Sequence, residues 1–308
     1  MFELVPVSET QITAQQIHLK NFQDDFFKFL DVSERTLATY HRALKQIFKY
    51  LGDNKINTPS YDDILAFKKH LENNNRKPAT IALYLAAARR FFSWLEQRGL
   101  YKNITIGIKA PKQEKGHKRD YFNVQQLKDV LNNVHSKRDT AIMALLATCG
   151  LRTVEVVRAN IEDLRILGDV TVLYVQGKGR KDKTEFVKIS DTVEQIIRDY
   201  LKTRDVKTDK EPLFVSNSNR NKNGRMTTRS ISAIAKTAIR KAGFNSSRLS
   251  AHSLRHTAVT LTLLAGQDLA DVQAFARHSN ISTTQIYSHA VDRMNSKCEN
   301  ILSNLLYS

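Results

Sequence analysis

Cysteine is nearly absent: of 308 residues only Cys149 and Cys298 are thiols, and neither sits in a CxxC or Cys/His cluster. That argues against a disulfide frame and a structural zinc site and for a reducing compartment. Long apolar runs are missing too. The longest, such as AIMALLATC, fall well short of the roughly 20 residues a membrane span needs and read as buried helix. The opening MFELVPVSETQ has no basic stretch followed by an apolar one, so no signal peptide is expected. The expected location is the cytoplasm, with no membrane partner. Internal repeats and low-complexity tracts are also lacking.

Acid is in deficit: 31 Asp and Glu stand against 48 Lys and Arg, a net charge of +17. Such a charge destabilises a compact fold by self-repulsion, which a polyanionic partner would relieve. Apolar residues make up 41%, enough for a real core, and the length suits two domains. Residues 1–112 hold 17 basic and 11 acidic residues, leaving 31 and 20 beyond. With both parts basic, a C-shaped clamp closing on DNA is the expectation.

The first third reads as helices. From Ser33, an N-cap, Leu37, Tyr40, Leu44, Ile47, Phe48 and Leu51 recur at helical steps up to Gly52. Ser60 with Asp63 forms an approximate capping box for a second helix, and Pro78 opens a third that ends at Gly99. Ile17–Leu30 is expected to be helical as well. The polar, basic, aperiodic residues 110–120 read as a linker, giving a helical domain over 1–109 and a second domain over 121–308. In the latter, helices over Val124–Val134 and Arg138–Thr148 precede strands at Val170–Val175 and Thr184–Ile189, joined by the turn GKGRKDK. Helices then resume from about Asp191 to the C-terminus, with Leu213–Val215 a short strand. The fold class expected is mainly α with a small β-sheet.

Four segments could carry chemistry. In AHSLRHT, His252 and Arg255 share a helix face. A cation-rich first turn opposes the helix dipole, and a bound phosphate would compensate it; hydrogen-bonded core residues are the plain alternative. His252 and His256 also have the spacing of two zinc ligands, but Ser253 stands where a metalloprotease helix has Glu, and no third ligand is evident. Further on, ARHSNISTTQIYSHA places Tyr287 in a short turn that Ser282 could cap. In TCGLRTVEV, Arg152 and Glu155 could be a mere surface ion pair. In QGKGRK, Lys178 sits between two glycines, as at a solvated hairpin tip.

Each signal is weak alone, but their order resembles the catalytic set of the tyrosine recombinase (phage integrase) family. The matching text is CGLRTVEV, QGKGRK, AHSLRHT and ARHSNISTTQIYSH, with nine residues from His278 to Tyr287. One departure stands out: the family usually has Leu-Gly-His where this chain has Ala276-Arg277-His278, so Arg277 adds a charge where a small residue is common.

The resemblance implies a two-domain, Xer-like site-specific DNA recombinase: a core-binding domain and a catalytic domain acting by a 3′-phosphotyrosyl intermediate. Strand exchange would serve integration, excision or resolution. Arg152 and Arg255 would hold the phosphoryl oxygens, since guanidiniums bind them bidentately and keep their charge. Tyr287 would attack phosphorus with help from His252, Lys178 would protonate the leaving 5′-oxygen, and His278 would bond a non-bridging oxygen. Glu155 would orient the His252/Arg255 pair. No cofactor, neither metal nor ATP, is implied. The partners implied are double-stranded DNA with inverted-repeat core sites and other copies of the chain, forming a tetramer on DNA. The stripe Met294, Cys298, Ile301, Leu302, Leu305 and Leu306 would either pack on its own domain or dock on a neighbouring protomer, the latter being favoured. Two other readings stay open: a type IB topoisomerase-like enzyme, distinguished by its lack of synapsis, and a non-catalytic DNA-binding protein, distinguished by its lack of covalent trapping.

Overall fold

A computed structural model describes residues 19–112, 120–177 and 182–307. The chain divides into two compact units, Met1–Lys115 and Gly116–Ser308, a division inside the stretch read as a linker.

After a 3-10 turn at Leu19–Phe22, the described residues of the first unit form four helices: α1 (Gln23–Phe29), α2 (Glu34–Asp53), α3 (Tyr61–Asn73) and α4 (Pro78–Gln97). Their starts follow from the capping residues. Ser33 Oγ accepts from the Thr36 amide at 3.4 Å, Ser60 and Asp63 close a capping box, and Pro78 occupies the first position of α4. The α2 stripe Leu44, Ile47 and Leu51 shares a core with Ile64, Phe67 and Leu71 of α3 and with Leu85, Phe91, Phe92 and Leu95 of α4. Phe26 and Phe48 meet the Phe91 ring edge-on, with centroids 5.2 and 5.6 Å away.

The second unit holds α5 (Val124–Asn132), α6 (Lys137–Thr148), α7 (Thr153–Arg158), β1 (Leu164–Leu167), β2 (Val170–Val175), β3 (Glu185–Lys188), α8 (Asp191–Leu201), α9 (Thr228–Lys241), α10 (Ala251–Leu264), α11 (Leu269–Ala276), α12 (Ser282–Asn295) and α13 (Cys298–Tyr307). Every residue of α6 from Ala141 to Ala147 is buried, as befits a helix apolar on all sides. The strands form an antiparallel sheet in the order β1-β2-β3, with Leu173 opposite both Leu164 and Val187. Its inner face adds Leu173, Val175 and Val187 to the core around α6. The mainly α architecture with a small sheet agrees with the fold class expected.

Several local expectations need correction. The strand β1 was not anticipated: it is four residues long with Ile166 and Leu167 exposed, so it lacks the alternation that marks a strand. Leu213–Val215 forms no strand; Asn160–Pro212 and Val215–Arg225 make isolated bridges instead. Helices do not run on unbroken after α8, because Lys202–Thr227 is irregular. That segment is rich in Asn, Asp and Ser and is held by Arg204, bonded to the carbonyls of Pro212 and Leu213, and by Arg225, bonded to that of Val157. Ser282 opens a full 14-residue helix rather than a short turn. No correction attaches to α13, for which docking on a neighbour is favoured over packing on its own domain: it buries no residue, and Leu305 is 76% exposed.

Candidate active site

The site starts from a turn. Gly150, at φ 57°, ends the α6 segment in the left-handed region, and a Cβ there would come within 3.3 Å of the Phe275 ring. This turn sends Leu151 into the core and leaves Arg152 capping α7. The Arg152 amide donates to Glu155 Oε2 at 2.8 Å, and its Nη1 pairs with Glu155 Oε1 at 2.6 Å. Glu155 is wholly buried, which uncompensated would cost several kcal/mol. A second cation compensates it: Arg277 Nη2 lies 3.0 Å from Oε2. Burial pushes the Glu155 carboxyl up, but Arg277 and Arg152 outweigh it and hold the group below its ordinary value.

Arg255 projects from the first turns of α10 and is 2% exposed. Its Nη1 donates to the Gly150 carbonyl and its Nη2 to that of Ala276. Burial first, then the charges of Arg152 and Arg277, pull its pKa down to about 9, so it remains a cation at neutral pH. One turn earlier on α10, His252 is exposed. His256, one turn on from His252, sets its ring 4.4 Å from that of Tyr287.

Between α11 and α12, Arg277 adopts φ 52° and ψ 48°, a left-handed cap that costs a non-glycine residue about 1–2 kcal/mol. Its carbonyl accepts from Arg152 Nη2 at 3.3 Å. His278 follows, its Nδ1 2.9 Å from the hydroxyl of the buried Thr284. Burial, then Arg255, Arg152 and Arg277, lower the His278 pKa to about 4, so the imidazole is neutral. Its ring stacks 6.0 Å from that of Tyr287, which α12 holds 6% exposed. A cleft of about 770 Å³ opens beside these groups, lined by Arg152, Gly177, Thr184, Gln273, Arg277 and His278.

The structure thus gathers Arg152, Glu155, Arg255, His278 and Tyr287, with His252 at the exposed side of α10. Lys178 lies outside the described residues. Glu155 was expected to orient the His252/Arg255 pair; its hydrogen bonds instead go to Arg152 and Arg277. Sequence reasoning did not anticipate the contacts of Arg277 and Thr284, and weighed His256 only as one of two zinc ligands, a reading it set aside. The charge of Arg277 at a helix end was a usable signal, whereas Thr284 gave none. Among the described residues no three His, Cys, Asp or Glu side chains cluster as a metal site. Guanidiniums and a neutral imidazole lining one cleft, with the Tyr287 ring 6.0 Å from that imidazole, suit the binding and attack of a phosphodiester.

Family models agree with this chemistry. The Phage integrase family model matches residues 120–294, and that of the Phage integrase, N-terminal SAM-like domain matches residues 19–99. The tyrosine recombinase XerC of Haemophilus influenzae is 35% identical, over 84% of this chain and 87% of its own. XerC of Mannheimia succiniciproducens is 32% identical, over 89% and 92% respectively. Among solved structures, the XerH site-specific recombinase bound to palindromic difH substrate matches with a TM-score of 0.71 and 19% identity, over 92% of this chain and 84% of that one. A lambda integrase tetramer bound to a Holliday junction matches with a TM-score of 0.70 and 15% identity, over 89% and 78%.

Proposed function

The chain belongs to the phage integrase family and is a site-specific tyrosine recombinase that cleaves and rejoins DNA, and from this premise we propose which residues do the work. The Tyr287 hydroxyl attacks the scissile phosphorus, a P–O bond to Tyr287 forms and the P–O5′ bond breaks, leaving a 3′-phosphotyrosyl link. His252 assists loss of the phenolic proton, and Lys178 protonates the departing 5′-oxygen. Attack by a 5′-hydroxyl from another strand reverses these steps and exchanges strands. The phosphotyrosyl bond conserves the energy of the cut link, so no ATP is consumed.

Arg152 and Arg255 receive the non-bridging oxygens. A guanidinium carries five N–H donors, so carbonyls and Glu155 can fix part of each fork and leave the other donors for the phosphate oxygens. His278, neutral and tied to Thr284 through Nδ1, offers its other ring nitrogen to the phosphate. The observation that carries this assignment is the placing of the Tyr287 ring against His278, beside Arg255 and Arg152, although these residues are scattered over 135 positions of sequence.

The partner proposed is double-stranded DNA with inverted-repeat core sites. Residues 1–109 serve as its core-binding domain, 110–120 as a linker and 121–308 as the catalytic domain. Both parts are basic, which supports contact by each. Four copies assemble on DNA in the cytoplasm, with α13 docking on the neighbouring protomer; the exposure of Ile301, Leu302, Leu305 and Leu306 supports that role.

Trapping the protein on fragmented genomic DNA and sequencing the adducts yields the target. A nicked duplex built on it then tests the nucleophile: after denaturing electrophoresis, wild type shows a DNA–protein adduct and Tyr287→Phe shows none. An adduct of normal yield with Phe at this position overturns the assignment.

A further inference from the structure

Two left-handed turns frame the phosphate site, at Gly150 and at Arg277. Only the first is a glycine. Arg277 could not have been placed there for backbone comfort, because its conformation is one that side chains resist. Its side chain is nonetheless drawn inward and is 4% exposed. Nη1 donates to the Phe275 carbonyl at 2.8 Å, and Nη2 reaches both the Gly150 carbonyl at 3.3 Å and Glu155 at 3.0 Å.

Glu155 poses a problem for the site it belongs to. A buried carboxylate at 2.6 Å from Arg152 offsets the charge that Arg152 is to offer a phosphate. With Arg152, Arg255 and Glu155 alone, the excess would be one positive charge; Arg277 makes it two. The turn at 277 also seats the other two arginines, since the Ala276 carbonyl accepts from Arg255 and the Arg277 carbonyl from Arg152. The lowered pKa values of Arg255 and His278 both include Arg277 among their causes, which places its charge within reach of the phosphate site.

We infer that Arg277 is a positioning residue of this recombinase: it balances the charge of Glu155, so that Arg152 stays fixed yet keeps its charge for the scissile phosphate. The inference rests on the phosphate roles proposed above for Arg152 and Arg255. It acts through those residues, not by touching DNA.

Single-turnover cleavage of the nicked duplex is the assay, run at a temperature where melting curves show every variant folded. Arg277→Gly, which relieves the turn, should cleave about 10–100-fold more slowly, by analogy with residues that hold the ligands of a metal centre in place. Arg277→Gln keeps the backbone strain without the charge and should match it; Arg277→Lys restores the charge and should recover most of the rate. The decisive substrate carries a methylphosphonate at the scissile position, where a methyl replaces one charged oxygen. If Arg277 acts by charge, the Gly and Gln deficits shrink markedly on that substrate. Equal deficits on both substrates, or wild-type rates in Arg277→Gly, overturn the inference alone. Absence of any wild-type adduct overturns the recombinase site assignment, and this inference with it.

Discussion

The first unit closes on rings and aliphatics, Phe26, Phe67, Phe91 and Leu44 among them, and Thr105 is its one buried polar residue among those described. The second encloses Glu155, Asp163 and Arg255 as well as its apolar core. Apolar burial stabilises by about 25 cal/mol per Å², whereas each buried ion costs several kcal/mol before its partners repay it. A fold accepts such ions where partners compensate them, as Arg152 and Arg277 do for Glu155 and Lys183 does for Asp163. Among the described residues of the first unit no charged side chain is buried, although the sequence up to Lys112 holds 17 basic against 11 acidic residues, and this interior has only to hold the frame. In the second, charge has been taken inside and held by paired side chains.

What the units share can be tested first, and the effect should be the largest. If each supplies phosphate contacts, a total of about 6–10 would cost roughly 10³–10⁵ in affinity between 50 and 200 mM salt. A log–log plot of affinity against salt should therefore be steep. A nearly flat one would remove the exterior charge of the first unit from the account of binding.

What divides them is chemistry, and Lys178→Ala probes it. Loss of a general acid slows cleavage about 10²–10⁴-fold while binding is little changed. Replacing the 5′-bridging oxygen with sulfur gives a leaving group that needs no proton, so the variant should cut that substrate at close to the wild-type rate. A defect of equal size on both would mean that Lys178 only positions phosphate, and proton delivery must be sought elsewhere.

The frame was legible in the sequence where capping and periodicity coincide: Ser33, Ser60 and Pro78 start α2, α3 and α4 as expected. It was less legible where tertiary packing decides. Ser282–Thr283–Thr284 has modest helix propensity, yet α12 forms because it packs on α10 and α11. The order of Arg152, His252, Arg255, His278 and Tyr287 pointed to the candidate site through its family resemblance, since order and residue type survive in one dimension. The loop joining Arg152, Glu155 and Arg277 did not, because 122 residues separate Arg277 from Glu155. A contact of that span leaves no periodic trace.

The interior of the first unit offers a converse test. Phe91 is fully buried among Phe26, Phe48 and Phe92. Phe91→Ala should lower stability by about 3–5 kcal/mol. Trp94, the chain's single tryptophan, lies in the same core, so its fluorescence reports this unfolding directly. Adduct formation at saturating DNA, below the melting range, should proceed at the wild-type rate. Unfolding within about 0.5 kcal/mol of wild type would show that the ring cluster is not what holds this unit, since only surface changes are normally so mild.

The smallest effect tests whether the buried site is thermodynamically distinct. Folded His278 titrates at about 4, below its ordinary 6.5. Between those values the unfolded chain binds a proton that the folded chain refuses, so stability falls as pH drops from about 6.5 to about 4 and His278 contributes no further loss below. Because the imidazole is only partly buried, solvent screening should leave about 1–2 kcal/mol of this. Glu155, lowered from 4.5, loses its contribution in more acidic solution, below most of that window. Urea unfolding from pH 7 to 4.5, followed by circular dichroism and by Trp94 fluorescence, should place the His278 loss in a transition that Trp94 does not report. In His278→Asn the loss should be less than half as large. An unchanged slope in that variant would assign the proton uptake to another residue and deny His278 its neutral state. Coincident curves from the two probes would mean that the units unfold together, and the contrast between their interiors would then be one of chemistry and not of stability.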